Sequence, residues 1–519
     1  MPGQSTRGVT GVQNGDFSTG PGIVKNDDGN MAETTKESID KLRIAVLIAG
    51  PCMPLLFCWL PPPVGMALEA WTLVGFMSWV VLWWLCEAIP IPATALLPIP
   101  LMPILNIADM DAVVVHYANP IIYLFLGGFL MAAAMQSSGL HRRIALTIIN
   151  LVGSSPGRII GGFMLATAFL SMWISNTSAT IMMFAVAISV IEFVGEKTSD
   201  SNATRSFGVA LMLAIAYSGT IGGVGTLIGT PPNAMFASYL ASTYGTAIDF
   251  FTWMLFALPI VLVMLPMAWL ILTKLVFKVD QVCLGNVQNL ISDEIVDLGR
   301  MSSREKLVAL VFCCAVLGWI TRKQLVAFTG LPINDTTIAL LGALCLFIFP
   351  ISRRGAAPIL DWQDAKNVPW GMLLLFGGGL ALAGAFDSTG LAAWIGQSVS
   401  SVRVSQWMLV ASIIIAVVYI TEVTSNTAST ATFLPILGAV AIGMHLDPLL
   451  LTLPATLAAS MAFMMPVATP PNAIVFTYPG MQLADMLRAG ALLNVIAIAV
   501  TFAAMYLLAG IVFSVQISP

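Results

Sequence analysis

From Ile44 onward the chain is a succession of apolar stretches of roughly 15 to 25 residues, the length that about 30 Å of hydrocarbon asks of a helix. Such a chain has few options. Backbone inside a bilayer must satisfy its own hydrogen bonds, and a helix does so within one segment. The stretches at 44–60, 70–89, 94–108, 119–140, 207–247, 252–273, 307–321, 336–351, 368–386, 449–483 and 489–513 predict eleven crossings. Two of them, 207–247 and 449–483, are too long for one unbroken span and carry a Pro-Pro pair inside. Two further apolar pairs, 158–174 with 178–195 and 406–422 with 428–443, are each split by a short polar knot. Only 9% of the residues are charged, against about 25% in soluble domains, which excludes a water-soluble enzyme. The net charge of −4 is too small to point to nucleic acid. Seven cysteines without a CxxC pair, and only three histidines, argue against a disulfide framework, a zinc site and histidine-based catalysis.

Lys and Arg set the orientation. With a cytoplasmic N-terminus, eleven alternating crossings and each split pair entering and leaving on one face, 19 of the 22 basic residues fall inside. Only Arg322, Lys323 and Arg403 fall outside, a strong positive-inside bias that puts the C-terminus outside. Charge counting does not distinguish a re-entrant hairpin from two full crossings. Residues 1–43, rich in Gly, Ser, Thr and Asn, read as a disordered cytoplasmic tail. The first span and its outer loop occupy 44–69, and a first repeat follows over 70–280 with an inner hairpin at 158–195. A cytoplasmic linker at 281–304 leads to a second repeat over 305–519 with an outer hairpin at 406–443.

Leu124–Leu140 (LFLGGFLMAAAMQSSGL) and Leu375–Leu391 (LFGGGLALAGAFDSTGL) agree at nine of 17 positions. The polar knots also repeat, as Ser175-Asn176-Thr177 and Ser425-Asn426-Thr427. So do the proline breaks, Thr230-Pro231-Pro232-Asn233-Ala234 and Thr469-Pro470-Pro471-Asn472-Ala473. All three recur in the same order, at offsets of 251, 250 and 239 residues. The charge-derived topology runs 119–140 inward and 368–386 outward, so the repeat is inverted, as in many secondary transporters.

Pro231 and Pro470 lack the N–H of a helical bond, which releases carbonyls of the preceding turn, Ile228 and Gly229 in one half and Val467 and Ala468 in the other. Free carbonyls with hydroxyl and amide oxygens suit a hard monovalent cation such as Na⁺. Helices resuming after each break, and hairpin arms starting near each Ser-Asn-Thr, aim positive dipole ends at the same place, which suits a carboxylate. No Lys or Arg lies in the middle of a span. An anionic solute would therefore be met by hydroxyls, amides, helix ends and co-bound cations, and this dependence on the cation is a coupling mechanism. Intramembrane acids are candidates for proton coupling. Glu87 and Glu192 lie near predicted ends and read as solvated or capping, which leaves Glu422 as the candidate. Gly127-Gly128 and Gly377-Gly378-Gly379 read as close helix contacts, and Trp79, Trp83 and Trp84 as lipid-facing or interfacial anchors.

With its two Ser-Asn-Thr knots, two Thr-Pro-Pro-Asn-Ala breaks and Glu87-Ala88-Ile89-Pro90 after the second span, the chain resembles the divalent anion:sodium symporter family from about Ile44 to its end. That group includes the Na⁺-coupled dicarboxylate, citrate and sulfate carriers. The resemblance implies an all-α polytopic fold of 11 transmembrane helices plus two re-entrant hairpins in an inverted repeat. It implies a homodimer in which a transport part moves as an elevator against a scaffold. It also implies a first cation site at Ser171, Ser175, Asn176 and Gly229, and a second at Thr421, Thr424, Asn426 and Ala468. Substrate carboxylates would meet Ser175, Asn176 and Thr177, then Ser425, Asn426, Thr427, Thr469 and Pro470, with Thr230 as the repeat mate of Thr469. Exchangers that run without sodium are similar but tend to place basic side chains at the cation positions, which are neutral here. The expected activity is Na⁺-driven symport of C4 dicarboxylates (succinate, malate, fumarate) into the cell across the plasma membrane. Exchange, or carriage of citrate or sulfate, is the alternative on the same scaffold, and an ion channel fits less well.

Overall fold

The computed structural model describes residues 29–153, 155–198, 200–281, 287–349, 358–400 and 404–514, and no strand occurs among them. The chain opens with α1 (Gly29–Trp59), α2 (Leu68–Cys86), α3 (Ile91–Thr94), α4 (Pro98–Ile104) and α5 (Met110–Val114). Next come α6 (Pro120–Ser137), α7 (Leu140–Val152), α8 (Pro156–Ser171), α9 (Asn176–Lys197), α10 (Ser201–Val224), α11 (Pro231–Tyr244) and α12 (Phe250–Leu270). A middle group holds α13 (Val287–Asp297), α14 (Ser303–Ile320), α15 (Arg322–Thr329), α16 (Asp335–Ile348) and α17 (Trp362–Lys366). The last group is α18 (Trp370–Ser388), α19 (Leu391–Val399), α20 (Gln406–Thr421), α21 (Asn426–Gly443), α22 (Pro448–Ala459), α23 (Pro470–Phe476) and α24 (Leu483–Phe513). Among the described residues, eight helical segments are long and apolar enough to cross a membrane, and five shorter apolar segments accompany them. The molecule is a multi-pass membrane protein.

The order of elements repeats as the motifs do. Helices α6 and α18 each turn through a left-handed glycine, Gly139 (φ 79°) and Gly390 (φ 76°), into the shorter α7 and α19. Then come two helix pairs broken at the polar knots, α8–α9 and α20–α21, and two broken at the prolines, α10–α11 and α22–α23. The residue before each Pro-Pro pair has nearly the same backbone, with Thr230 at φ −144°, ψ 144° and Thr469 at φ −143°, ψ 149°.

Helix α10 is the axis of the first half, with every residue from Phe207 to Val224 buried. It is packed by α8, α9, α12 and α23, as a helix apolar on all sides must be. Its glycines allow the approach. A methyl group on Gly222 would stand 2.3 Å from the Ala168 carbonyl of α8. The glycines of α6 and α18 likewise sit at tight contacts, Gly127 against Ala339 and Gly377 against Tyr117. Two helices exchange sides between the halves: α11 packs on α18, α21 and α22, and α23 packs on α9 and α10.

Three expectations change. The stretch 94–108 is not one helix but part of α3 and α4, because Pro90, Pro92, Pro98, Pro100 and Pro103 leave too few N–H groups for a continuous ladder. The tryptophans of α2 are not lipid anchors: Trp83 donates to the Val46 carbonyl of α1 at 3.1 Å, Trp79 and Trp83 pack on Gly50 of α1, and Trp84 is fully buried in the main core. Of the expected tail, residues 29–43 belong to α1, while residues 1–28 lie outside the described residues, as do 282–286 of the expected linker.

At the loop expected to be cytoplasmic, Arg143 of α7 binds Glu305 (Nε to Oε1, 2.6 Å) and the carbonyls of Gly299 and Leu298. Burial pushes the Glu305 carboxyl up, but the Arg143 guanidinium and the Ser302 cap outweigh it and hold the group below its ordinary value. A depressed carboxyl contributes stability above its unfolded value of about 4.3 and loses it as pH falls through the folded value. Arg143→Ala should therefore lower the melting midpoint in detergent at neutral pH, and the gap to wild type should narrow in acid. A gap that does not depend on pH would show that the ion pair contributes nothing.

Candidate functional site

Each knot begins a helix. Ser175 precedes α9 and Ser425 precedes α21, both with extended backbone that ends the previous arm and starts the next. The residues of both knots are half-buried. In the first, Ser171 Oγ lies 2.5 Å from Asn176 Oδ1 and 2.6 Å from the Gly219 carbonyl of α10. In the second, Thr421 Oγ1 lies 2.7 Å from Asn426 Oδ1 and 3.0 Å from the Ala459 carbonyl of α22. The two clusters have the same geometry. Each offers two acceptors to one hydroxyl, which has a single proton, so oxygen lone pairs outnumber protons.

Gly229 closes on the first cluster through glycines. A methyl on Gly229 would meet the Gly223 carbonyl at 2.3 Å, and one on Gly223 would meet Asn176 Oδ1 at 2.5 Å. Among the described residues, the carbonyls of Ile228, Gly229, Val467 and Ala468 receive no hydrogen bond. The carbonyls one turn earlier are held by the asparagines of the proline motif. Asn233 Nδ2 reaches Gly223, Val224 and Thr226 (3.2, 3.3 and 2.8 Å), and Asn472 Nδ2 reaches Ala462 and Met465 (3.5 and 3.0 Å). Both side-chain oxygens, Asn233 Oδ1 and Asn472 Oδ1, are buried without a partner.

Some expected ligands stand apart from these clusters. The Ser175 hydroxyl caps its own helix through Ser178. The Thr424 hydroxyl lies on the Ile420 carbonyl and Ser429 Oγ, 2.9 and 2.7 Å away, rather than on Asn426. The hydroxyls of Thr177, Ser425 and Thr427 take no hydrogen bond from the described residues. Thr230 and Thr469 are buried beside the breaks, and the Thr469 hydroxyl accepts from Asn472 N at 3.3 Å, while Pro470 is exposed at the head of α23. Among the described residues, no group of three His, Cys, Asp or Glu could hold a metal ion.

The reading of the sequence missed four contributors. The repeated asparagine of the proline motif could have signalled Asn233 and Asn472. Nothing marks the carbonyls of Gly219 and Ala459, because every residue has one.

Glu422 proves to be a brace for the second break. Its buried carboxylate accepts from the backbone N–H groups of Phe463, Met464 and Met465 (2.8–3.0 Å) and from Asn494 Nδ2 at 2.7 Å. These N–H groups are the ones an interrupted helix leaves over. The matching residue of the first half is Met172, whose carbonyl accepts from the Thr226 hydroxyl. There the tip is fixed instead by Trp173, stacked on Phe250 (6.2 Å), which stacks in turn on Trp319 (4.3 Å). Each buried donor left unpaired costs about 1–3 kcal/mol. Melting midpoints in detergent should thus fall in the order wild type, Glu422→Gln, Glu422→Leu. Equal midpoints would remove the brace.

A model of the sodium:sulfate symporter transmembrane region matches residues 41–515. The chain is 41% identical over 480 residues to a sodium-dependent dicarboxylate transporter, SdcS, of Staphylococcus saprophyticus, covering 91% of this chain and 92% of that one. It is 41% identical to SdcS of Staphylococcus aureus over 479 residues, with the same coverage. Among solved structures, MtrF of Neisseria gonorrhoeae matches with a TM-score of 0.54 at 11% identity, covering 79% of this chain and 85% of that one. The YdaH transporter of Alcanivorax borkumensis matches with a TM-score of 0.52 at 12% identity, covering 79% and 95%. At such low identity those two likenesses concern the fold alone. The family model and the relatives agree over nearly the whole length, and the chain belongs to the sodium:sulfate symporter transmembrane region family.

Proposed function

We propose that this protein is a secondary active transporter that imports C4 dicarboxylates such as succinate, malate and fumarate by symport with Na⁺. The observation that carries the reading is the pair of matched clusters, Ser171–Asn176–Gly219 and Thr421–Asn426–Ala459, in which neutral acceptors outnumber protons. Such a cluster lowers its energy by taking a monovalent cation, whose ligands are oxygens. The relatives named as sodium-dependent dicarboxylate transporters support the same ion and substrate class.

In this reading the cations occupy the two clusters together with Ser175, Thr424 and the break carbonyls of Gly229 and Ala468. Substrate carboxylates meet the free hydroxyls of Thr177, Ser425 and Thr427, the amides of Asn176 and Asn426, and Thr230, Thr469 and Pro470 at the breaks. Bound Na⁺ supplies the positive charge that no Lys or Arg provides, so the anion binds after the cation. The chain crosses the plasma membrane eleven times, N-terminus inside and C-terminus outside, with α8–α9 and α20–α21 as re-entrant hairpins in an inverted repeat. A homodimer serves as the frame in which the transport part moves as an elevator.

Proteoliposomes holding the purified protein should accumulate labelled succinate only under an inward Na⁺ gradient. Competition with citrate and sulfate then ranks the anions. Asn176→Ala and Asn426→Ala should each abolish uptake while the protein remains in the membrane, and Thr427→Val should weaken succinate affinity more than Na⁺ affinity. Uptake that ignores the gradient, or survives both asparagine replacements, would defeat the proposal.

A further inference from the structure

The two knots have similar backbones, with Ser175 at φ −59°, ψ 142° and Ser425 at φ −66°, ψ 130°, but they place their hydroxyl protons differently. A hydroxyl has one proton and two lone pairs. A serine whose proton is held inside the protein keeps an oxygen for a cation and has nothing to donate to an anion. Ser175 is in that state. Its Oγ accepts from Ser178 N at 3.2 Å, as an N-cap does, and donates to Ser178 Oγ at 2.8 Å. One lone pair is left over.

The 250-residue offset maps Ser178 onto Ala428, which has no side-chain acceptor. Ser425 makes no side-chain cap, and its proton stays available. In the second knot the hydroxyl held as an acceptor is that of Thr424, one residue earlier. Thr424 Oγ1 donates to the Ile420 carbonyl at 2.9 Å and lies 2.7 Å from Ser429 Oγ. With the threonine proton on the carbonyl, the proton of the second contact comes from Ser429. The first half has Ile174 and Ala179 at these two places, so it has no such pair. Each knot thus fixes one hydroxyl as an acceptor, and the fixed position moves by one residue between the halves.

We propose that Ser178 is a positioning residue that commits Ser175 to the cation, and that Ala428, by lacking a hydroxyl, leaves Ser425 to the substrate carboxylate. This division rests on the reading of the protein as a Na⁺-coupled dicarboxylate transporter. Two serines at the same place in a repeated motif take opposite roles. The second knot then offers two free hydroxyl protons, on Ser425 and Thr427, and the first offers one, on Thr177. The two ends of a symmetric dianion such as succinate are held unequally.

Uptake by the full-length protein in proteoliposomes separates the two roles. Ser178→Ala should raise the Na⁺ concentration for half-maximal uptake about fivefold, the effect of losing one orienting hydrogen bond, while succinate half-saturation at saturating Na⁺ does not rise. Ala428→Ser gives the second knot the missing acceptor and should do the reverse, weakening succinate about fivefold with Na⁺ half-saturation unchanged. For a variant that does not transport, equilibrium binding of radioactive sodium and labelled succinate to the purified protein is read in the same way. Both affinities weakened together in Ser178→Ala report a merely structural cap and overturn the proposal, as does either variant in which neither affinity moves. Wild-type flux that ignores Na⁺ overturns the transport reading and this division together. Na⁺-driven wild-type flux with any other pattern in the variants overturns the division alone.

Discussion

The structure depends on how broken helices are satisfied where no water is available to do it. An interrupted helix in hydrocarbon leaves N–H and C=O groups that cost several kcal/mol each if unmet. This chain meets them with side chains, some from beside the break and one from the neighbouring hairpin. Asn233 and Asn472 take the carbonyls, Glu422 takes the N–H groups of residues 463–465, and the Thr226 hydroxyl ties the first break to its hairpin. These contacts keep short helices such as α23, only seven residues long, directed at the site.

The exchange of α11 and α23 between the halves follows from the same constraint. A seven-residue helix has too little surface to stand alone in a membrane. Packed on α9 and α10 of the opposite half, α23 closes the first knot, as α11 closes the second. Neither half is complete by itself. Each oxygen cluster is written in one half of the sequence and is packed by a helix of the other.

The halves are alike in backbone and unlike in side chains. Met172 faces Glu422 across the repeat, Gly219 faces Ala459, and a Trp173–Phe250–Trp319 stack has no equivalent at the second tip. Backbone symmetry preserves the dipoles and carbonyls that both clusters need. The side chains are free to divide other tasks, with a buried anion bracing one break and an aromatic stack anchoring the other.

The sequence by itself determined the membrane setting, the bounds of both hairpins to within a few residues, the repeated motifs, and the pairs Ser171–Asn176 and Thr421–Asn426. All of these depend on apolar run length, proline chemistry or spacing along one chain, which are local. Where reading failed, the cause was tertiary. Trp83 looks like a membrane anchor until α1 covers it and the Val46 carbonyl takes its N–H. Only the folded chain decided which carbonyls complete the clusters. A backbone oxygen carries no mark in the sequence, and the hydroxyls that reach Gly219 and Ala459 come from helices 48 and 38 residues away.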